Sequence, residues 1–184
     1  MTEIKATAVN PTLEYVMYEH GKDVFREVMM KLSEDQYRMF RKKLLVTAWV
    51  PLDDFLDLNR AIVDVLWDGD ERMIEVVGRY SADQSFNRFY KILLRFITPD
   101  TLMDKASSIF SSMYRPGEQK IEESGKGYCR FSISGMEVKD PVLYYRIKGY
   151  AERAAELTGA KNLRTELEIH DNHRVNAYIT MRWT

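Results

Sequence analysis

The spacing of hydrophobic residues changes at about residue 115, and this change limits the folds open to the chain. Before that point apolar residues recur every three or four positions, the period of an amphipathic helix. After it they alternate with polar residues, the period of a strand with one buried face. This order predicts an α+β fold, with helices segregated from an antiparallel sheet.

Local signals mark where helices begin in the first part, which is expected to span about residues 11 to 115. Ser33 and Gln36 have the spacing of a capping box. Pro51 stands at a helix start with Asp53 in the first turn, and Thr98 precedes another start. Long helical patterns cover residues 13–32, with an interruption at Gly21, and residues 71–97.

The second part, about residues 118–184, predicts the order β-β-α-β-β. In the first hairpin, alternation pairs Ile121 with Phe131 and leaves a three-residue loop, 125–127. A helix then begins at Asp140-Pro141 and stops at Gly159. We find no linker or repeat, so residues 1–184 are expected to form one domain.

The last hairpin carries an arrangement that resembles a metal site, His170-Asp171-Asn172-His173. Alternation pairs Ile169 with Val175 and Leu167 with Ala177, which makes residues 171–173 a loop. Zinc needs about four ligands, and nothing nearby in the sequence completes the set. We therefore favour a solvated turn over a metal site, and we predict neither a metal nor a cofactor.

Composition and charge exclude several classes of function. The formal net charge of -1 argues against general nucleic-acid binding. The sequence has one cysteine, Cys129, no signal-peptide core and no apolar run long enough for a membrane span, so we expect a cytoplasmic protein. Cys129 alternates with Phe131 on the apolar face and is expected to be a buried, inert thiol.

Other candidates for chemistry have simpler explanations. Gly125 and Gly127 fit a hairpin turn better than a phosphate loop. Asp53 and Asp54 fit a helix N-terminus better than an acid–base pair with Asp57. The basic run at 38–43 fits a solvated helix face better than an anion site. His20, beside a glycine, fits a helix end better than a haem ligand.

The aromatic and methionine residues of the helical part offer the remaining candidate site. Such residues at helical spacing more often belong to the plain core, and the candidate function beside that interpretation is an apolar pocket that they would line. These candidate ligand-binding residues are Trp49, Phe86, Phe89, Tyr90, Phe110, Met113 and Tyr114.

Several stretches together resemble a bacterial family of about this length. They are "YVMYEHGKDVFREVM", "WVPLDDFLDLNRAI", "GDERMIEVVGRYSAD", "FYKILLRFITPDTLMDKASSIFSSMYRPG" and "IKGYAERAAELTGAKNL". The family is an uncharacterised paralogous set best known from myxobacteria. It is similar in turn to four-vinyl reductase domains, haem nitric-oxide-binding domains and subunits of the TRAPP tethering complex, which share helices followed by an antiparallel sheet with an inserted helix.

The resemblance implies a ligand-sensing or interaction module. The chain lacks the cysteines that four-vinyl reductase-type domains often carry in the last hairpin, and it lacks the Y-x-S-x-R signature of haem nitric-oxide-binding proteins. We therefore expect a non-catalytic regulatory module that binds an apolar small molecule or lipid between helices and sheet. The alternatives are a scaffold homodimer joined through the N-terminal helices and, third, an enzyme of unknown reaction.

Overall fold

The computed structural model describes residues 1–86, 97–170 and 175–184, and it shows helices, a small sheet and a larger sheet. Its α-helices are α1 (Ala6–Tyr15), α2 (Gly21–Met30), α3 (Glu34–Phe40), α4 (Leu52–Trp67), α5 (Glu75–Ser85), α6 (Pro99–Met113) and α7 (Pro141–Leu157). A π-helical turn (Val16–His20) joins α1 to α2, and a 3₁₀ turn (Glu71–Ile74) precedes α5.

The strands form two antiparallel sheets. They are β1 (Glu3–Lys5), β2 (Trp49–Pro51), β3 (Tyr114–Arg115), β4 (Glu118–Gly125), β5 (Tyr128–Ser134), β6 (Arg164–Ile169) and β7 (Ala177–Arg182). The small sheet has the order β2-β1-β3, and the larger sheet has the order β4-β5-β7-β6. The predicted α+β class and the β-β-α-β-β order of the second part are confirmed.

The predicted helix starts are also present. Ser33 and Gln36 make the reciprocal bonds of a capping box. The side chain of Thr98 caps α6, and the side chain of Asp140 caps α7 by accepting from the backbone of Val142 at 3.0 Å. These caps satisfy backbone N–H groups that lack a partner inside the helix, so local sequence alone specifies them.

The three short strands β1, β2 and β3 were not predicted from the sequence, and the helical part begins earlier than expected. Strand β1 lies between β2 and β3 and pairs with both. Helix α1 starts at Ala6, not at about residue 11, and it contains Pro11. Strands of two or three residues are too short to show alternation, so periodicity does not reveal them.

The first hairpin has the predicted face but a different turn. Ile121 pairs with Phe131 as expected. A bulge between Ile121 and Glu123 then changes the register, so that Gly125 pairs with Tyr128 and the turn has two residues instead of three. The extra residue of the bulge accounts for the shorter turn.

The predicted register of the last hairpin is wrong by two residues. Ile169 pairs with Ala177 rather than with Val175. A shift of two keeps the same side chains on the buried face, so the alternation itself holds. Asn176 was placed on the polar face, but it is buried, and its amide bonds both the N–H and the C=O of Met136. The predicted loop, 171–173, lies outside the described residues.

Helix α7 packs on the inner face of the larger sheet and against α5. The α5–α7 crossing is close because glycine lies at the contact: a Cβ at Gly149 would be 2.2 Å from the carbonyl oxygen of Glu75. Within the described residues, none of the helices combines the length and apolarity that crossing a membrane requires.

Candidate functional site

A cavity of about 80 Å³ lies between helices α5, α6 and α7 and strands β4 and β5. Its wall is mainly apolar, because these helices and the inner face of the sheet turn their buried residues toward one another. The apolar wall includes Leu102, Met103, Ile109, Phe131, Ile147 and Ala154. A concave, apolar site with few polar groups is the usual form of a small-molecule site.

One cation, Arg146 of α7, lies in the polar part of this wall and is 2% exposed. Its Nη2 donates hydrogen bonds to the carbonyl oxygen of Ala8 at 2.8 Å, to Oγ1 of Thr12 at 3.1 Å and to Oγ of Ser81 at 3.0 Å. Its Cζ lies 4.9 Å from the ring centroid of Phe55, a cation–π distance.

Two phenols in the wall are electrostatically coupled to this cation. Burial lowers the pKa of the Arg146 guanidinium, and the phenols of Tyr114 and Tyr150 oppose that shift. Burial raises the pKa of both phenols, and the nearby Arg146 works against the rise. An arginine stays charged in proteins, and a phenol with a raised pKa stays protonated at neutral pH. None of the three is therefore tuned to exchange protons near pH 7, as a general acid or base would be.

The structure brings together four of the seven candidate ligand-binding residues. Phe86, Phe110, Met113 and Tyr114 all line the cavity, and the rings of Phe110 and Tyr114 stack with centroids 4.7 Å apart. Trp49 lies elsewhere, on β2, where Cζ of Arg115 is 4.0 Å from its ring centroid. Phe89 and Tyr90 lie outside the described residues.

Arg146 was not among the residues predicted from the sequence, although the sequence contains a signal for it. In α7 the apolar residues Leu143, Ile147 and Tyr150 form one face of the helix. Arg146 lies three residues after Leu143 and four before Tyr150, so helical geometry places it on that same face. A search of the sequence for a single cation on an otherwise apolar helical face would therefore have identified Arg146.

The other candidate residues have structural roles. His20 lies edge-on to the ring of Tyr15, and His170 lies edge-on to the ring of Tyr178. The side-chain amide of Gln36 donates to Asp54 at 2.9 Å and to Asp57 at 2.8 Å. Those two carboxylates therefore help to fix α3 against α4.

Of two further candidates, the thiol has the role that the sequence favours, whereas the basic run is only partly helical, because α3 ends at Phe40. Lys43, in the basic run, pairs with Glu14 at 2.9 Å. Cys129 is buried, and desolvation raises the pKa of its thiol to about 11. A buried thiol with such a pKa is inert at neutral pH.

Solved structures share the fold of this chain. An Fe(II) unliganded H-NOX protein from K. algicida superposes with a TM-score of 0.73 at 8% identity, over 98% of this chain and 97% of that one. An H-NOX protein from S. oneidensis in the Fe(II)NO state gives 0.67 at 12% identity, over 98% and 99%. The chain has an H-NOX-like fold. H-NOX domains are haem nitric oxide/oxygen-binding domains. Neither a protein-family model nor a curated protein sequence matches the chain.

The described residues that line the cavity do not fit a haem. Histidine and cysteine thiolate are common protein ligands of haem iron, and neither residue occurs among the described residues that line it. The phenols of Tyr114 and Tyr150 stay protonated. Across residues 1–86, 97–170 and 175–184, no group of three or more His, Cys, Asp or Glu side chains is arranged to hold a metal ion. We therefore derive no step that involves haem.

Proposed function

We propose that this protein is a regulatory module that binds a small apolar molecule in the cavity between helices and sheet. The observation that supports the proposal is the apolar wall formed by α6, α7 and the inner face of β5. The H-NOX-like fold supports a sensory role, because the solved proteins of that fold include a ligand-bound form, the Fe(II)NO state. The volume favours a small molecule over a lipid. We keep the cytoplasm as the expected location, since the one cysteine is a free thiol.

The test is to fill the cavity. Ala106 lines it from α6, whereas Ser108 is exposed on the same helix. We expect hexanol, hexanamide and hexanoate, screened by ligand-observed NMR, to include at least one ligand of the wild-type protein. Ala106→Leu should weaken that binding at least about tenfold, because its added methylenes occupy the site, and Ser108→Leu should leave it unchanged. Failure of all three probes to bind the wild type would refute the proposal.

A second function, a scaffold homodimer, is favoured by exposed apolar side chains near the N-terminal helices. Tyr18, Met30 and Leu45 are 74%, 75% and 79% exposed. Apolar surface of this kind marks interaction sites when it is contiguous. Sedimentation velocity at tens of micromolar tests this function. A dimer that Leu45→Ser or Met30→Ser dissociates would support it, and a monomer would exclude it.

A further inference from the structure

Arg146 differs from the other cations of α7 in having no carboxylate partner. Lys148 pairs with Glu75 at 2.8 Å and with Glu152 at 2.9 Å. Arg153, farther along the helix, pairs with Asp83 and Glu156. For Arg146, no carboxylate of the described residues lies within 4.0 Å, although it is the most deeply buried of the three.

The hydrogen bonds of Arg146 do not neutralise its charge. The three oxygens that accept from Nη2 belong to a carbonyl and two hydroxyl groups, which are all neutral. Nε is buried and has no hydrogen-bond partner among the described residues. A buried cation without a counter-ion is costly, so its presence in a ligand cavity indicates that an anion completes the site.

The cavity limits the size of that anion. A water-sized group needs about 10–15 Å³ of such volume, so a cavity of about 80 Å³ holds roughly five to eight non-hydrogen atoms. One guanidinium matches one negative charge, and a monocarboxylate carries one such charge at neutral pH. A phosphate carries between one and two charges and would find only one cation among the described lining residues.

We propose that the cavity binds a small apolar monocarboxylate, with its carboxylate at the unpartnered Nε of Arg146 and its hydrocarbon part against the apolar wall. The hydrocarbon lies along Leu102, Met103 and Phe131 of that wall. Tyr114 and Tyr150 line the same cavity as Arg146. This inference rests on the proposed function and specifies the chemical class of its ligand.

The experiment compares two probes with the same hydrocarbon chain, one with a charged carboxylate headgroup and one with a neutral amide. Hexanoate and hexanamide have the same number of non-hydrogen atoms, and their affinities for the wild-type protein are measured by isothermal titration calorimetry at pH 7. We expect hexanoate to bind at least about tenfold more tightly, because hydrogen bonds to a charged group are the stronger kind. Dodecanoate should bind no more tightly than hexanoate, since the inference concerns a small acid and not a lipid.

A variant then assigns the preference to one side chain. Arg146→Met keeps an apolar stem of similar length and should remove the preference for hexanoate while hexanamide still binds. Arg153→Met, on the same helix but outside the cavity, is the matched control and should retain the preference. Circular dichroism checks that both variants are folded. If Arg146→Met does not fold, the comparison of hexanoate with hexanamide on the wild-type protein still tests the inference.

The outcomes separate the two proposals. Equal binding of hexanoate and hexanamide, or a preference that survives in Arg146→Met, overturns the carboxylate inference and leaves a neutral ligand site. Tighter binding of dodecanoate overturns the small-acid class. Absence of binding by hexanol, hexanamide and hexanoate alike overturns the proposed function together with the inference.

Discussion

Gly78 of α5 lies so close to Arg146 of α7 that a Cβ at Gly78 would be 2.1 Å from the Arg146 carbonyl oxygen. The absence of a side chain at Gly78 therefore lets the two helix backbones touch. The same approach brings the Arg146 side chain within hydrogen-bond distance of Ser81, one turn along α5. The geometry of the cavity thus depends on a glycine that contributes no atom to its wall.

Gly78→Ala should destabilise the protein, because backbone on both helices must move to admit the methyl group. Overpacking of this kind typically costs about 1–3 kcal/mol, and occasionally more. Gly125→Ala is the control, since a Cβ at Gly125 meets no atom within 4 Å and its φ is not in the left-handed region. Urea unfolding of both variants checks the prediction. Equal losses in the free energy of unfolding for the two variants would show that the α5–α7 crossing tolerates a side chain at Gly78.

Alkaline pH should reduce stability through the buried thiol of Cys129. Its pKa is about 11 in the folded protein and near its ordinary value of 9.0 when unfolded, because burial disfavours the thiolate. The folded state holds the proton more tightly, so this contribution is complete below pH 9 and is lost as the pH rises toward 11. This difference in the pKa of the thiol corresponds to a loss on the order of 3 kcal/mol in the free energy of unfolding.

Cys129→Ala isolates this effect, since the buried tyrosines titrate in both proteins. The free energy of unfolding, measured between pH 8 and 11, should fall more steeply for the wild type than for the variant. Parallel curves would mean that the thiol does not contribute to the alkaline loss.

Trp183→Ala should cost less than Ile179→Ala. The alternation predicts that both face the core, and Ile179 is fully buried. Trp183 follows the last residue of β7 and is only partly buried against the core. Truncating a buried Ile costs about 2–5 kcal/mol, and truncating a fully buried Trp about 3–5 kcal/mol. We expect Trp183→Ala to lie below both ranges in thermal unfolding, and a larger loss for Trp183 would place its ring in the core.

His170→Ala should change stability by less than about 0.5 kcal/mol, with or without zinc. The ring nitrogen Nε2 has no hydrogen-bond partner among the described residues and lies 3.8 Å from a carboxylate oxygen of Glu168, so its removal breaks no strong bond. A metal that bound the folded protein would raise the melting temperature. Zinc titrations followed by differential scanning fluorimetry check this. A zinc-dependent increase that His170→Ala abolishes would favour the metal reading.

The sequence predicted best what depends on neighbouring residues. The Ser33–Gln36 box and the Asp140 cap are local, and both are present. The predicted buried faces of the strands depend on alternation and are correct. The register of the last hairpin depends instead on the distant contact between Asn176 and Met136. Strand β1 was missed for a similar reason, since only its partners on β2 and β3 define it.

In the candidate site, too, residues that are close together in the sequence were predicted together, and residues whose position depends on distant contacts were not. Phe110, Met113 and Tyr114 lie close together in the sequence, around the end of α6, and they share the cavity wall. Trp49 has the same chemical character, but the fold places it between cations on the small sheet. Arg146 was overlooked because solvated cations are common on helices, and its burial depends on α1 and α5, whose residues accept its hydrogen bonds.

The small sheet also has a consequence for the order in which the chain assembles. Strand β1 precedes the helical part in the sequence, yet its partner β3 follows it. The hairpins β4–β5 and β6–β7 close short loops, whereas the β1–β3 pair closes a long one, at a greater cost in chain entropy. We therefore expect strand β1 to remain without its partner β3 while the helical part is synthesised. The β1–β3 pair, which joins the helical part to the start of the larger sheet, should form among the last steps of folding.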